Sequence, residues 1–191
     1  MYAKILLPFL GFLLLFVGSG YPPAQAQTRQ PFTGRNLITV TLEGAKGRYE
    51  FRSQDLLVRY NRATEQLECS VLVNSLLPAS DTIPAGMVYD VLYGARFPEF
   101  TFVIDVPKEI VNGGRTYAEP IRRRTSITLQ GTTNEKNIAV VFAPEKNRIT
   151  FGTDFDLVLA NFQASIPAHY LPVLTGRLLI TISNARWVDK P

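Results

Sequence analysis

The 191-residue sequence has one cysteine, Cys69, and one histidine, His169. A lone cysteine excludes an internal disulfide. With a lone histidine and no His/Cys cluster, there is no metal-ligand spacing to read. No Ser-His-Asp arrangement is legible either, so the chain shows no nucleophile paired with a base. Gly113-Gly114 lacks the following helix that a phosphate cradle needs, and with Asn112 it reads as a turn. Asp154 and Asp156 form an acidic pair, too few for a calcium cage. The net charge is only +4. No Lys/Arg cluster is interleaved with aromatics, which argues against nucleic acid as a partner. The mild positive balance instead suits transient contact with an anionic membrane surface. Repeats and low-complexity segments are missing as well. These absences point away from an enzyme, a cofactor or a metal, and toward binding by shape and burial.

Only one long apolar run is present, at residues 5–17, behind Lys4. It is shorter than the roughly 20 residues a membrane span requires. Pro22-Pro23 and then Ala24-Gln25-Ala26 follow it, the small-residue pattern of a secretory cleavage site. Residues 1–26 therefore read as a signal peptide, 27–35 as a polar leader and 36–191 as one domain, working in the periplasm or outside the cell. No cysteine follows the run, so a lipid-modified N-terminus is not expected.

What is plentiful is strand chemistry. Phe and Tyr number 12 and 8, and 13 Gly and 13 Pro are scattered along the chain. Residues 36–42 set Ile38, Val40 and Leu42 against Leu37, Thr39 and Thr41. Residues 48–52 and 55–60 alternate separately, and 61–65 reads as a turn. Leu67, Cys69, Val71 and Val73 share a face, which makes Cys69 inert core packing. Phe100, Phe102, Ile104 and Val106 form another apolar face. Further alternation follows at 121–130, at 135–142 and from 148 to 164. The last strand is expected at 176–188, with Leu178, Ile180 and Ile182 on one face. Strands every 8–15 residues with turns between them argue for an antiparallel barrel or sandwich.

Two stretches break the pattern. In 78–98, Met87, Val88, Val91 and Leu92 fall at helical spacing, with Ser80 or Thr82 available to cap the start. Arg122-Arg123-Arg124 reads either as the charge that protects an edge strand or as a mouth where an anionic head group is met. Parity places Arg123 with Ile121, Ile127 and Leu129, which makes it the best of the three for the second role.

Three strings together resemble the YceI-like family of bacterial secreted proteins. They are Arg96-Phe97-Pro98-Glu99-Phe100-Thr101-Phe102, Ser126-Ile127-Thr128-Leu129-Gln130-Gly131-Thr132-Thr133, and the closing segments 155–162 and 173–185. The chain departs from that pattern in the insert, where only Asp90 and the aromatics are comparable, and at Gln130. The resemblance implies an all-β fold, an antiparallel eight-stranded lipocalin-like barrel with a short helical insert. It also implies an apolar lipid or isoprenoid ligand inside. The wall would be Phe100, Phe102, Ile104, Ile127, Leu129, Val140, Phe142, Phe155, Leu157, Leu178 and Ile180. Met87, Tyr89 and Tyr93 would cover one end, and Arg123 would meet a head group. The alternative is a secreted interaction module whose barrel interior is filled by its own side chains.

Overall fold

The computed structural model describes residues 33–112, 119–145 and 148–190. The expected export signal at 1–26 and the expected turn at Gly113-Gly114 lie outside the described residues. In chain order the strands are β1 (Thr33–Gly44), β2 (Arg48–Asn61), β3 (Gln66–Leu72) and the two-residue β4 (Leu77–Pro78). Helix α1 (Met87–Val91), β5 (Glu99–Asp105) and helix α2 (Lys108–Asn112) follow. Then come β6 (Ile121–Leu129), β7 (Thr132–Glu145), β8 (Arg148–Val158), β9 (Leu174–Ala185) and β10 (Val188–Lys190). Around the sheet the order is β1-β2-β3-β5-β6-β7-β8-β9, and β9 returns to β1. All eight neighbours are antiparallel, so the sheet closes into a barrel. The short β4 and β10 add to β2, the latter in parallel. Among the described residues no helix is long and apolar enough to cross a membrane.

Alternation decides which face turns inward, because successive strand side chains point to opposite sides. Ile38, Val40 and Leu42 of β1 are buried, as are Leu67, Cys69 and Val71 of β3. The same holds for Phe100, Phe102 and Ile104 of β5 and for Leu178, Ile180 and Ile182 of β9. These positions form one contiguous core. Burial pushes the Cys69 thiol well above its ordinary value, as expected of an inert core cysteine.

Several boundaries differ from the sequence pattern for local physical reasons. β1 begins at Thr33, within the stretch read as leader. Asn36 holds its start in place: the side chain donates to the Arg186 carbonyl (2.8 Å) and accepts from the Arg186 amide (2.8 Å). The two alternating stretches at 48–60 are one strand with a bulge, since Asn36 pairs with both Asp55 and Leu56. One extra residue flips the parity, so Phe51 and Ser53 point inward before the bulge, and Leu56, Val58 and Tyr60 after it. Neither Ser80 nor Thr82 caps α1. Its N-cap is Gly86, and the Ser80 hydroxyl accepts from the Thr82 amide to close a turn instead. β9 ends at Ala185 rather than running to 188, and the chain then reaches β2 as β10.

Gln130 and Gly131, at φ 48° and 79°, make the two-residue β6–β7 hairpin. Both central residues of such a turn need positive φ. Gly131 is constrained twice over, because a Cβ there would meet the Phe97 ring at 2.8 Å.

Candidate functional site

The expected wall residues all face the barrel interior, and they fill it. Phe102, Ile104, Ile127 and Val140 are each 0% exposed. The Phe102 ring packs edge-on against Phe155 of β8 at a centroid distance of 6.0 Å, and Phe100 lies 5.8 Å from Phe102. β5 and β8 are separated by two intervening strands, so this contact reaches across the interior. Phe142, Phe151 and Trp187 stack in succession at 6.5 and 6.3 Å toward the end where β7 runs into β8.

The other end receives the insert. Met87, Val88, Val91 and Leu92 join the core, and Tyr89 packs against it half-buried. Gln130 ties this insert to the β6–β7 hairpin by donating to the Val91 carbonyl (2.8 Å). Tyr93 is not among the side chains packed against the core. It is 40% exposed, on the turn after α1, with a positive φ of 53°.

The three arginines separate by parity. Arg124 points outward and forms a two-pronged pair with Glu135, with Nε donating to Oε2 at 3.0 Å. Arg123 lies on the inner face opposite Ile138, and its Nε is buried without a hydrogen-bond partner. As a whole β6 is not an edge strand, since β5 and β7 flank it. Its pairing with β5 covers only Thr125 to Thr128, however, so the arginines occupy a stretch hydrogen-bonded on the β7 side alone.

A feature that strand patterns miss is a split in the wall. β7 and β8 pair from Glu145↔Arg148 as far as Ala139↔Asp154, and there the register ends. Beyond that point β7 continues along β6, while β8 continues along β9. The gap holds a cavity of about 570 Å³ lined by Asn134, Glu135, Lys136, Asp156, Leu157, Val158, Asn161 and Phe162. Side chains bridge it where the ladder does not. Lys136 Nζ donates to the Asp156 carbonyl oxygen and to Asp156 Oδ1, each at 2.6 Å. Asn134 Nδ2 donates to the Asn161 carbonyl. Arg177 approaches the other Asp156 oxygen at 3.2 Å. Lys136 donation to the Asp156 carboxylate lowers the acid's pKa, against a smaller opposing effect of burial. The signal for this site was present: Lys136 and Asn134 share parity with Ile138, Val140 and Phe142, so the inner face of β7 turns polar over its first half.

Among the described residues, no group of three or more His, Cys, Asp or Glu side chains converges as a metal-ligand set. His169 lies on an exposed turn, 3.9 Å from the Tyr170 ring and 4.0 Å from Asp90.

No protein-family model and no curated protein sequence matches the chain. Solved structures do. A polyisoprenoid-binding domain from Saccharophagus degradans, implicated in plant cell wall breakdown, aligns at TM-score 0.66 and 12% identity, over 79% of this chain and 93% of that one. BcnA of Burkholderia cenocepacia aligns at TM-score 0.58 and 15% identity, over 77% and 93%. A YceI protein of Campylobacter jejuni aligns at TM-score 0.45 and 12% identity, over 69% and 81%. The first two likenesses extend over nearly the whole of those chains and concern the path of the backbone. The chain shares the fold of the first two, a lipocalin-like, eight-stranded antiparallel barrel.

Proposed function

We propose that the chain is an exported, non-enzymatic binding protein that takes an apolar lipid or isoprenoid chain into its barrel. The observation that carries this reading is an apolar inner face whose buried residues Leu157 and Phe162 also line the cavity at the β7–β8 split. Burial of an apolar chain against such a face contributes about 25 cal/mol per Å² with no directed bonds. The rings of Phe102 and Phe155 would move aside for it, and Arg123 offers an unpaired donor to an anionic head. Likeness in fold to a domain described as polyisoprenoid-binding supports the ligand class by analogy. The export signal at 1–26 supports a task outside the cytoplasm, where a lipid crossing water needs a shield. The test is mass spectrometry of organic extracts from protein purified from its native host. A lipid present in near-equal molar amount supports the reading, and extracts free of lipid contradict it.

A second reading is favoured by the filled interior. Side chains that are 0% exposed and meet across the barrel also suit a module that binds through its outer loops.

A further inference from the structure

We propose that the β7–β8 split is the head-group site of the barrel. Lys136 receives the carboxylate or phosphate head of a single-chain amphiphile whose apolar tail runs inward over Leu157 and Phe162. This rests on the lipid-binding reading above and adds to it the polar half of the ligand. Lys136 occupies an inner-face position, directly opposite the fully buried Thr125. Its ammonium is engaged by an oxyanion already, the Asp156 carboxylate, together with a backbone carbonyl at the point where the β7–β8 ladder has ended. The carboxylate stands where a ligand's head would sit.

The surrounding charges permit the exchange. Of the cavity's eight lining residues, Lys136 is the one cation. The two acids in the lining have other holders: Glu135 is gripped by Arg124, and Asp156 by Arg177. Asp156 therefore stays paired when Lys136 leaves it. Lys136 and Asp156 are 40% and 37% exposed, and ion pairs so open to solvent are worth less than about a tenfold change in an equilibrium. An incoming head displaces this one cheaply. On the adjacent strand and the same face, Arg123 contributes a buried Nε with no partner.

The experiment titrates wild-type, Lys136→Met, Lys136→Arg and Asp156→Asn proteins with a fluorescent polyene fatty acid and with its uncharged methyl ester. Circular dichroism verifies folding of each variant. The wild type should prefer the acid, and salt should erode that preference without affecting the ester. Lys136→Met should weaken acid binding severalfold, by less than about tenfold, and leave the ester unchanged. Lys136→Arg should restore it. Asp156→Asn should tighten the acid severalfold, the opposite direction from a merely structural effect. Millimolar inorganic phosphate should fail to displace the acid, because the tail supplies most of the affinity. Displacement by phosphate alone would overturn the amphiphile assignment. Acid binding unaffected by Lys136→Met, or weakened by Asp156→Asn, would overturn the site while the ester's binding left the lipid reading standing. If neither probe binds the wild type, both fall.

Discussion

Phe102→Ala is the sharpest probe of the interior. Phe102 is 0% exposed and touches Phe100 and Phe155 with ring centroids 5.8 and 6.0 Å away. Removing a fully packed phenylalanine costs about 3–5 kcal/mol, from lost transfer energy plus the cavity left behind. Tilted and edge-on ring pairs each contribute about 0.5–1.5 kcal/mol beyond area, which places the expected loss in the upper half of that range, about 4 kcal/mol. For a domain of this size each kcal/mol lowers Tm by about 2–4 °C, so the variant should melt about 8–16 °C below wild type. Urea unfolding gives the same quantity independently, with the midpoint falling and the slope m unchanged. A loss under about 1 kcal/mol would refute the reasoning, because it would mean the ring lines open space instead of filling it. The variant also bears on function. If an apolar chain enters by pushing this ring aside, the truncated side chain should raise affinity for it.

Three further outcomes are expected. Gly131→Ala should destabilise by at least about 1 kcal/mol, since an alanine there must adopt positive φ and its Cβ would meet the Phe97 ring; an unchanged denaturation midpoint would contradict this. The Asp156 carboxyl has a folded pKa below its ordinary value, held down by Lys136 and Arg177, with Glu43 beside Arg177 and Glu135 in the same cavity lining. Its contribution to stability is therefore complete above the ordinary carboxylate range and lost as pH falls through the lowered value, so the stability gap between wild type and Asp156→Asn should close in strong acid; a gap independent of pH would count against the pairing. N-terminal sequencing of the exported protein should begin at Gln27, and finding Met1 there would refute the cleavage assignment.

Much of the barrel was legible because period-two alternation is local. Phe100, Phe102 and Ile104 declare their face without reference to any other strand, and so do Leu178, Ile180 and Ile182. The helical spacing of Met87, Val88, Val91 and Leu92 likewise located α1. Features that depend on pairing partners were not legible. The bulge that joins two alternating stretches into β2 exists because Asn36 opposes two residues at once. The partial edge at Arg122-Arg123-Arg124 arises because β5 pairs with β6 only as far as Thr125. The split that Leu157 and Phe162 line follows from where the β7–β8 register stops, which no single strand's sequence encodes. Lys136 was the available clue: a charged residue sharing the inner-face parity of Ile138, Val140 and Phe142.

The measurement that bears most directly on the central claim is a titration of residues 27–191 with a fluorescent polyisoprenoid analogue. The same titration is run on Ile127→Asp protein, with circular dichroism confirming that the variant is folded. Ile127 is fully buried on the inner face of β6, so a carboxylate there opposes entry of any apolar chain. The wild type should bind one analogue per barrel, saturably, at micromolar concentration and without loss at high salt, and the folded variant should not bind. Absence of saturable binding to the wild type would contradict the account.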